Sequence, residues 1–225
     1  VLLGKRVVEV SAGLAGQHCG YALAGLGATV VRVRLPGTAA ASPLDIGKTT
    51  VELDPQTAED FEALVRLCAG CDLVIEERPP LGWPGGQALF HRLLQRDPRM
   101  LVACLSPFGL TGPDADAAAY PLNGYHAGGN AQQIPCDLLR PQDRTRPPLQ
   151  AGGHWGEAQA GTLAALTALS FMLDAQAHAG TVIDCSKQEA LISFNWTEVA
   201  RFPNEGRAPT RLAPLATIET IEAEG

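Results

Sequence analysis

Three segments concentrate the residue types that can do chemistry. Glu157 stands three residues after His154, at the opening of a run (156–173) of small and apolar residues with no other charge. A carboxylate in the first turn of a helix complements the positive end of the macrodipole, which is its structural reading. Ser106-Pro-Phe-Gly-Leu-Thr-Gly-Pro113 is a dense turn signal directly after a β-type run. Open α/β sheets hold their ligands at such turns. Ser11-Ala-Gly-Leu-Ala-Gly16 is a glycine-bearing turn after the first β-rich run. It can bring backbone N–H groups near a phosphate. The strict G-x-G-x-x-G spacing is absent, the glycines being Gly13, Gly16 and Gly20. A nicotinamide cofactor is therefore not expected.

Other chemistries find less support. No P-loop, G-x-S-x-G or H-E-x-x-H pattern occurs. The histidines (His18, His91, His126, His154, His178) lack metal-ligand spacing to one another. Of six cysteines, only Cys68 and Cys71 form a CxxC, and there is no second pair to complete a zinc site. That CxxC follows a helical run and precedes a strand-like one, which reads as a helix C-terminus capped by Gly70. No metal is expected. A net charge of -7 disfavours a nucleic-acid face. No apolar run reaches the roughly 18 residues of a spanning helix, so the expectation is a cytoplasmic protein without a membrane segment.

The elements that must position these residues alternate. β-type runs occur at 6–10, 28–34, 49–53, 72–76 and 100–105, with a small-residue helix after the first turn ending at Gly27 and helical patterns at 56–67 and 87–95 between them. Such alternation predicts an α/β fold, a Rossmann-like open and mainly parallel sheet with helices on both faces. Residues 107–150, rich in Pro, Gly, Asn and Gln, read as a loop-rich active-site region. A small-residue helix at 156–173, a strand at 180–184 and a helix opened by the capping box Ser186-Lys-Gln-Glu189 and running to Ala200 follow. One large domain over 1–200 (1–106, 107–150 and 151–200) and a coreless tail or linker at 201–225 are expected.

The ordered set of motifs resembles the class III CoA-transferase family, which includes formyl-CoA and carnitine CoA-transferases and α-methylacyl-CoA racemases. Leu2-x-Gly-x-Arg-Val-Val-Glu-Val-Ser11 with Leu14-Ala15-Gly16 is similar to its opening, and Asp45-Ile-Gly-Lys-Thr-Thr-Val-Glu-Leu-Asp54 to its "N-R-G-K…L-D" segment. Asp97-Pro-Arg…Leu105-Ser-Pro-Phe-Gly-Leu-Thr-Gly-Pro113 is similar to "N-P-R…S-G-F-G-Q-T-G-P", and Gly180-x-Val-Ile-Asp184 to "G-x-V-V-D-V-S". Counting back from Gly161 puts Glu157 where the family has a nucleophilic Asp.

The resemblance implies an acyl-CoA:carboxylate CoA-transferase. A carboxylate attacks the thioester to give a mixed anhydride, and the released CoA thiolate then makes an enzyme thioester that an acceptor acid attacks. Glu157 is the implied catalytic residue. Gly152, Gly153, His154 and Tyr120 are the implied oxyanion or substrate-positioning groups, and Arg34, Lys48, Arg78, Leu14 and Gly16 the CoA-binding ones. Lys48, which matches the family's lysine, is expected on a CoA phosphate in a solvated groove. The partners implied are acyl-CoA, a carboxylic acid, and a second copy or a longer homologous chain.

The chain also departs from the pattern. Tyr120 stands where the racemases have a His, which disfavours racemisation, and Glu77 and Arg78 replace the Asn and Phe of "E-N-F-R-P-G". Family members are about twice as long. A non-catalytic CoA-binding or partner subunit is the second reading and an acyl-CoA racemase the third.

Overall fold

The computed structural model describes residues 1–39, 41–84, 86–133, 150–174 and 180–206. The strands are β1 (Arg6–Ser11), β2 (Thr29–Arg34), β3 (Lys48–Glu52), β4 (Leu73–Glu77), β5 (Val102–Ser106) and β6 (Val182–Ser186). The helices are α1 (Leu14–Gly25), α2 (Ala58–Cys68), α3 (Leu89–Arg96), α4 (Pro121–Ala127), α5 (Trp155–Leu173), α6 (Lys187–Phe194) and α7 (Trp196–Glu205).

The strands form one sheet in the order β3-β2-β1-β4-β5-β6, and every pairing is parallel. This is the expected fold. β1, β4 and β5 read as nearly unbroken buried runs, because helices cover both of their faces. Val7, Leu73, Ile75, Ala103 and Leu105 pack under α1 and α5, while Val8, Val10, Val74, Val102 and Cys104 pack under α2 and α3. The chain runs outward from β1 through β2 to β3, then restarts beside β1 with β4. The crevice beyond the β1 and β4 C-termini is thus the topological switch point.

Local chemistry sets the helix ends. Thr57 Oγ1 accepts from Asp60 N at 3.2 Å to open α2. Gly70 closes it at φ +68, a left-handed conformation that glycine adopts without strain. The CxxC is therefore the end of a helix, as its sequence suggests. α1 and α5 cross closely because both carry small residues: a Cβ on Gly161 would lie 2.3 Å from the Ala15 carbonyl oxygen and 2.6 Å from His18 Cβ.

Two expectations need correction. The helix opened by Ser186 does not run unbroken to Ala200. It stops at Phe194, Asn195 leaves helical geometry (φ -100, ψ 31), and α7 continues to Glu205 with Pro203 inside it. Residues 201–205 are therefore helical rather than tail. The region expected as loop between 107 and 150 contains α4, opened by Pro121 at its first position, and a 3-10 turn at Asn130–Gln133. Residues 134–149 and 207–225, including Cys136, lie outside the described residues, as does His178.

Candidate active site

The two glutamates that end β4 point to opposite faces of the sheet, as successive strand residues must. Glu76 faces α3. Its carboxylate accepts from Trp83 Nε1 at 2.5 Å and from the N–H groups of Leu89 and Phe90, the first residues of α3, at 3.2 and 2.5 Å. Burial pushes its pKa up to about 7, against the lowering pull of these donors.

Glu77 faces α1. Its Oε2 accepts from Gly13 N at 3.1 Å and Gly16 N at 2.8 Å. These are the amides that the glycine-bearing turn offers at a helix N-terminus, and a protein carboxylate already takes them. Gly16 is required here, since a Cβ would lie 2.7 Å from Ser11 Cβ and 3.0 Å from Glu77 Oε2.

Beside Glu77 lies Glu157, in the first turn of α5 and only 4% exposed. His154, just before α5, adopts φ 55, rare for a residue with a Cβ. Its carbonyl accepts from Glu157 N and Ala158 N at 3.0 and 3.1 Å, which closes the first turn. The cation between the two carboxylates is Lys187, the first residue of α6, which enters the site from the end of β6. Its Nζ donates to Glu157 Oε2 at 2.8 Å and to Glu77 Oε1. Burial raises the pKa of Glu157, opposed by the Lys187 charge and reinforced by Glu77, and the Ala15 backbone amide also favours the ionised form. Burial pulls the Lys187 ammonium down, but the two carboxylates outweigh it and push its pKa up.

Glu77, Glu157 and Lys187 line one cleft with Gly13, Arg78, Tyr120 and Tyr125. Its enclosed part is about 30 Å³, room for a water and little more. The first turn of α5, the switch point and the post-β5 segment (through Pro107) thus meet at one cleft.

The other expected residues disperse. Arg78, just past β4, lines the cleft, and its guanidinium donates to the carbonyls of Ala115 and Asp116 at 2.5 and 3.5 Å, holding the loop beyond β5. Arg34, the last residue of β2, pairs with Glu52. It borders a separate polar cleft with Leu35, Gly37, Thr38, Asp54 and Asp60. Tyr120 is 58% exposed at the cleft rim. Leu14 is half-buried, and Gly152 and Gly153 are exposed with open space around them.

Lys48 does not meet its expectation. It begins β3 instead of following a strand C-terminus, its side chain is fully buried, and its Nζ donates to Glu9 Oε2 at 2.5 Å and to the Gln17 carbonyl at 2.8 Å. Arg32 and Ser11 complete that network on Glu9, with Arg32 also paired to Asp45. An ammonium so held is not placed to meet a phosphate in a solvated groove.

Sequence reasoning missed Lys187 and the role of Glu77. A lysine between a strand and its following helix, at the ligand end of an α/β sheet, is the signal that points to the first. The replacement of Asn by Glu77 is the signal for the second. Among the described residues no group of three His, Cys, Asp or Glu side chains is arranged to hold a metal ion.

The chain belongs to CoA-transferase family III, whose model matches residues 2–218. It is 32% identical to an α-methylacyl-CoA racemase of Mus musculus over 207 residues, covering 87% of this chain and 51% of that protein. It is 29% identical to a succinyl-CoA–D-citramalate CoA-transferase of Chloroflexus aurantiacus, covering 92% of this chain and 54% of that one. A CAIB/BAIF family protein from Brucella suis superposes with a TM-score of 0.74 over 94% of this chain and 60% of its own, at 23% identity, which confirms the fold. The chain thus spans about half the length of the curated relatives it matches.

Proposed function

We propose that this chain carries the nucleophile-bearing part of an acyl-CoA:carboxylate CoA-transferase, with Glu157 as the nucleophile. The observation that supports the reading most is the placement of Glu157. It is a buried, ion-paired carboxylate in the first turn of α5, on the cleft at the sheet's switch point. In the reaction a Glu157 carboxylate oxygen attacks the thioester carbonyl carbon. The new C–O bond replaces the C–S bond, and CoA leaves as the thiolate with the electron pair. The thiolate then attacks Cδ of Glu157, forming the enzyme thioester and releasing the first acid. An acceptor carboxylate and the CoA thiolate repeat the two steps in reverse to give the new acyl-CoA.

A buried site protects both intermediates from water. The N–H groups of Gly152 and Gly153 are proposed to approach the developing oxyanion once the site is closed around substrate. Arg78 at the cleft and Arg34 in the separate polar cleft are proposed to meet the CoA phosphates. Lys48 is not part of this set.

The test is intact-mass analysis after incubation with an acyl-CoA and a free acid. Parent protein, with its partner chain if one co-purifies, is expected to gain a covalent CoA adduct. Glu157→Gln is expected to gain none and to lose transfer by at least about 10³-fold, since an amide cannot form the anhydride. Transfer by the Gln variant at near the parent rate would refute the assignment. A parent without adduct or transfer would favour the second reading, a CoA-binding partner subunit. One relative, from Thauera aromatica, is itself a CoA-transferase subunit. Racemisation ranks third, because Tyr120 at the cleft rim offers a phenol where an imidazole would act as a base near neutral pH.

Large apolar side chains are exposed along α5, α6 and α7, among them Leu166, Leu173, Phe194, Trp196 and Phe202. We propose that a second copy or a longer homologous chain covers them. Sedimentation should show a dimer or heteromer at micromolar concentration, and a monodisperse monomer would count against it.

A further inference from the structure

We propose, building on Glu157 as the nucleophile, that Lys187 and Glu77 form a positioning pair. The pair orients the Glu157 carboxylate and leaves Lys187 a counter-charge when Glu157 is acylated. Three elements converge on this arrangement: Glu157 from α5, Lys187 from α6 and Glu77 from β4. Lys187 Nζ donates to both carboxylates, at 2.8 Å to Glu157 Oε2. Glu77 cannot follow a departing lysine, because the Gly13 and Gly16 amides hold its other oxygen at 3.1 and 2.8 Å and its side chain is 1% exposed.

The charge count gives the arrangement a purpose. Two carboxylates and one ammonium total one negative charge, which is the charge the nucleophile brings to the thioester. The anhydride and the enzyme thioester both neutralise Glu157. A lysine paired with Glu157 alone would then be a buried cation without a counter-charge, a state that proteins strongly disfavour. With Glu77 anchored beside it, the acylated site is a neutral ion pair. Conversely, without Lys187 two carboxylates would share a buried site and one would take up a proton, and a protonated acid is no nucleophile. The replacement of the family's Asn by Glu77 thus adds a negative charge that Lys187 balances.

The groups facing Glu157 are Lys187 on α6, Glu77 on β4 and the Ala15 amide on α1. His18 on α1 and His154 before α5 lie in the same field, with burial pulling the His18 pKa down. Burial drives the Glu157 pKa up and Lys187 opposes it, so removing the lysine must move the titration to higher pH.

The experiment titrates Glu157 in the whole protein with carboxyl-13C glutamate, assigned by difference against Glu157→Gln, alongside adduct formation as a function of pH. Lys187→Met should raise the Glu157 midpoint by about one pH unit or more. Its adduct yield near neutral pH should fall about tenfold, with the acid limb of the pH profile moving upward in step. Lys187→Arg should recover most of both. Glu77→Gln should lower the midpoint, by removing a like charge, and yet reduce the adduct level. A midpoint and adduct yield in Lys187→Met that match the parent would overturn the proposal. If Lys187→Met does not fold, Glu77→Gln decides: a lowered midpoint supports the pair and an unmoved one overturns it. Variants that show these titration shifts, with a parent that forms no adduct at any pH, would instead refute the nucleophile reading, so the two failures are distinguishable.

Discussion

The crossing of α1 and α5 makes Gly161→Ala the most informative single substitution. In an open helix this change gains about 1 kcal/mol from helix propensity. Here the new Cβ would lie 2.3 Å from the Ala15 carbonyl oxygen, 2.6 Å from His18 Cβ and 3.1 Å from Cys19 N. Ordinary contact begins near 3.4 Å, so the helices must separate by about 1 Å. Two of the three obstructing atoms are backbone and have no rotamer to retreat into. Overpacking of this kind costs about 1–3 kcal/mol, which exceeds the propensity gain. The expected net loss is up to about 2 kcal/mol, or a Tm lower by up to about 8 °C for a chain of this size.

Function should suffer more than stability. The displaced helix carries the Ala15 amide beside Glu157 and the Gly16 amide on Glu77. A misplacement of about 1 Å can cost about a hundredfold in rate. Gly25→Ala is the control. Gly25 ends α1, and a Cβ there would have nothing within 4 Å, so the variant should gain about 0.4–1 kcal/mol. Thermal and urea denaturation of both variants, with adduct formation measured on each, checks the reasoning. Equal stabilisation by the two substitutions would refute the close crossing and with it this account of how the site is positioned.

Lys48→Met should cost about 3–5 kcal/mol by leaving Glu9 as a buried carboxylate short of a partner, and Glu9→Gln in the same chain should recover part of it in a double-mutant cycle. Normal stability with weakened CoA binding would restore Lys48 as a phosphate contact. Glu76 has a folded pKa of about 7, above its ordinary 4.5, so its native form holds a proton that the unfolded chain releases. Its contribution to stability is therefore full below about pH 4.5 and is lost as the pH rises through about 7, by about 3 kcal/mol in all. The parent-minus-Glu76→Gln difference in urea-derived stability should fall across that window, and a flat difference would exclude the titration.

The helix caps and strand runs were legible because they are local. Gly70 after α2 and Ser186 before α6 state their roles through chain neighbours alone. The alternation of strands and helices implies a parallel sheet for the same reason, since a short helix between two strands can return the chain only in that sense. The place of Glu157 in the first turn of α5 was legible from the small-residue run that it opens. The break at Asn195 and the extension past Pro203 were not, because nothing in the pattern near them distinguishes a bend from an end.

What the sequence by itself determined is the sheet class and the alternation of strands and helices that builds it. What only the tertiary structure decided is where the charges go. Lys48 and Lys187 are both lysines beside a strand end, yet one begins β3 and is locked onto Glu9, whereas the other follows β6 and bridges Glu77 and Glu157. Glu76 and Glu77 are adjacent and identical, yet the pleat sends one to cap α3 and the other to hold α1 and Lys187. The physical reason is that an ion pair is made by residues 30 to 110 positions apart in the chain, and only the stacking of β1, β4, α1, α5 and α6 around the switch point brings them within reach.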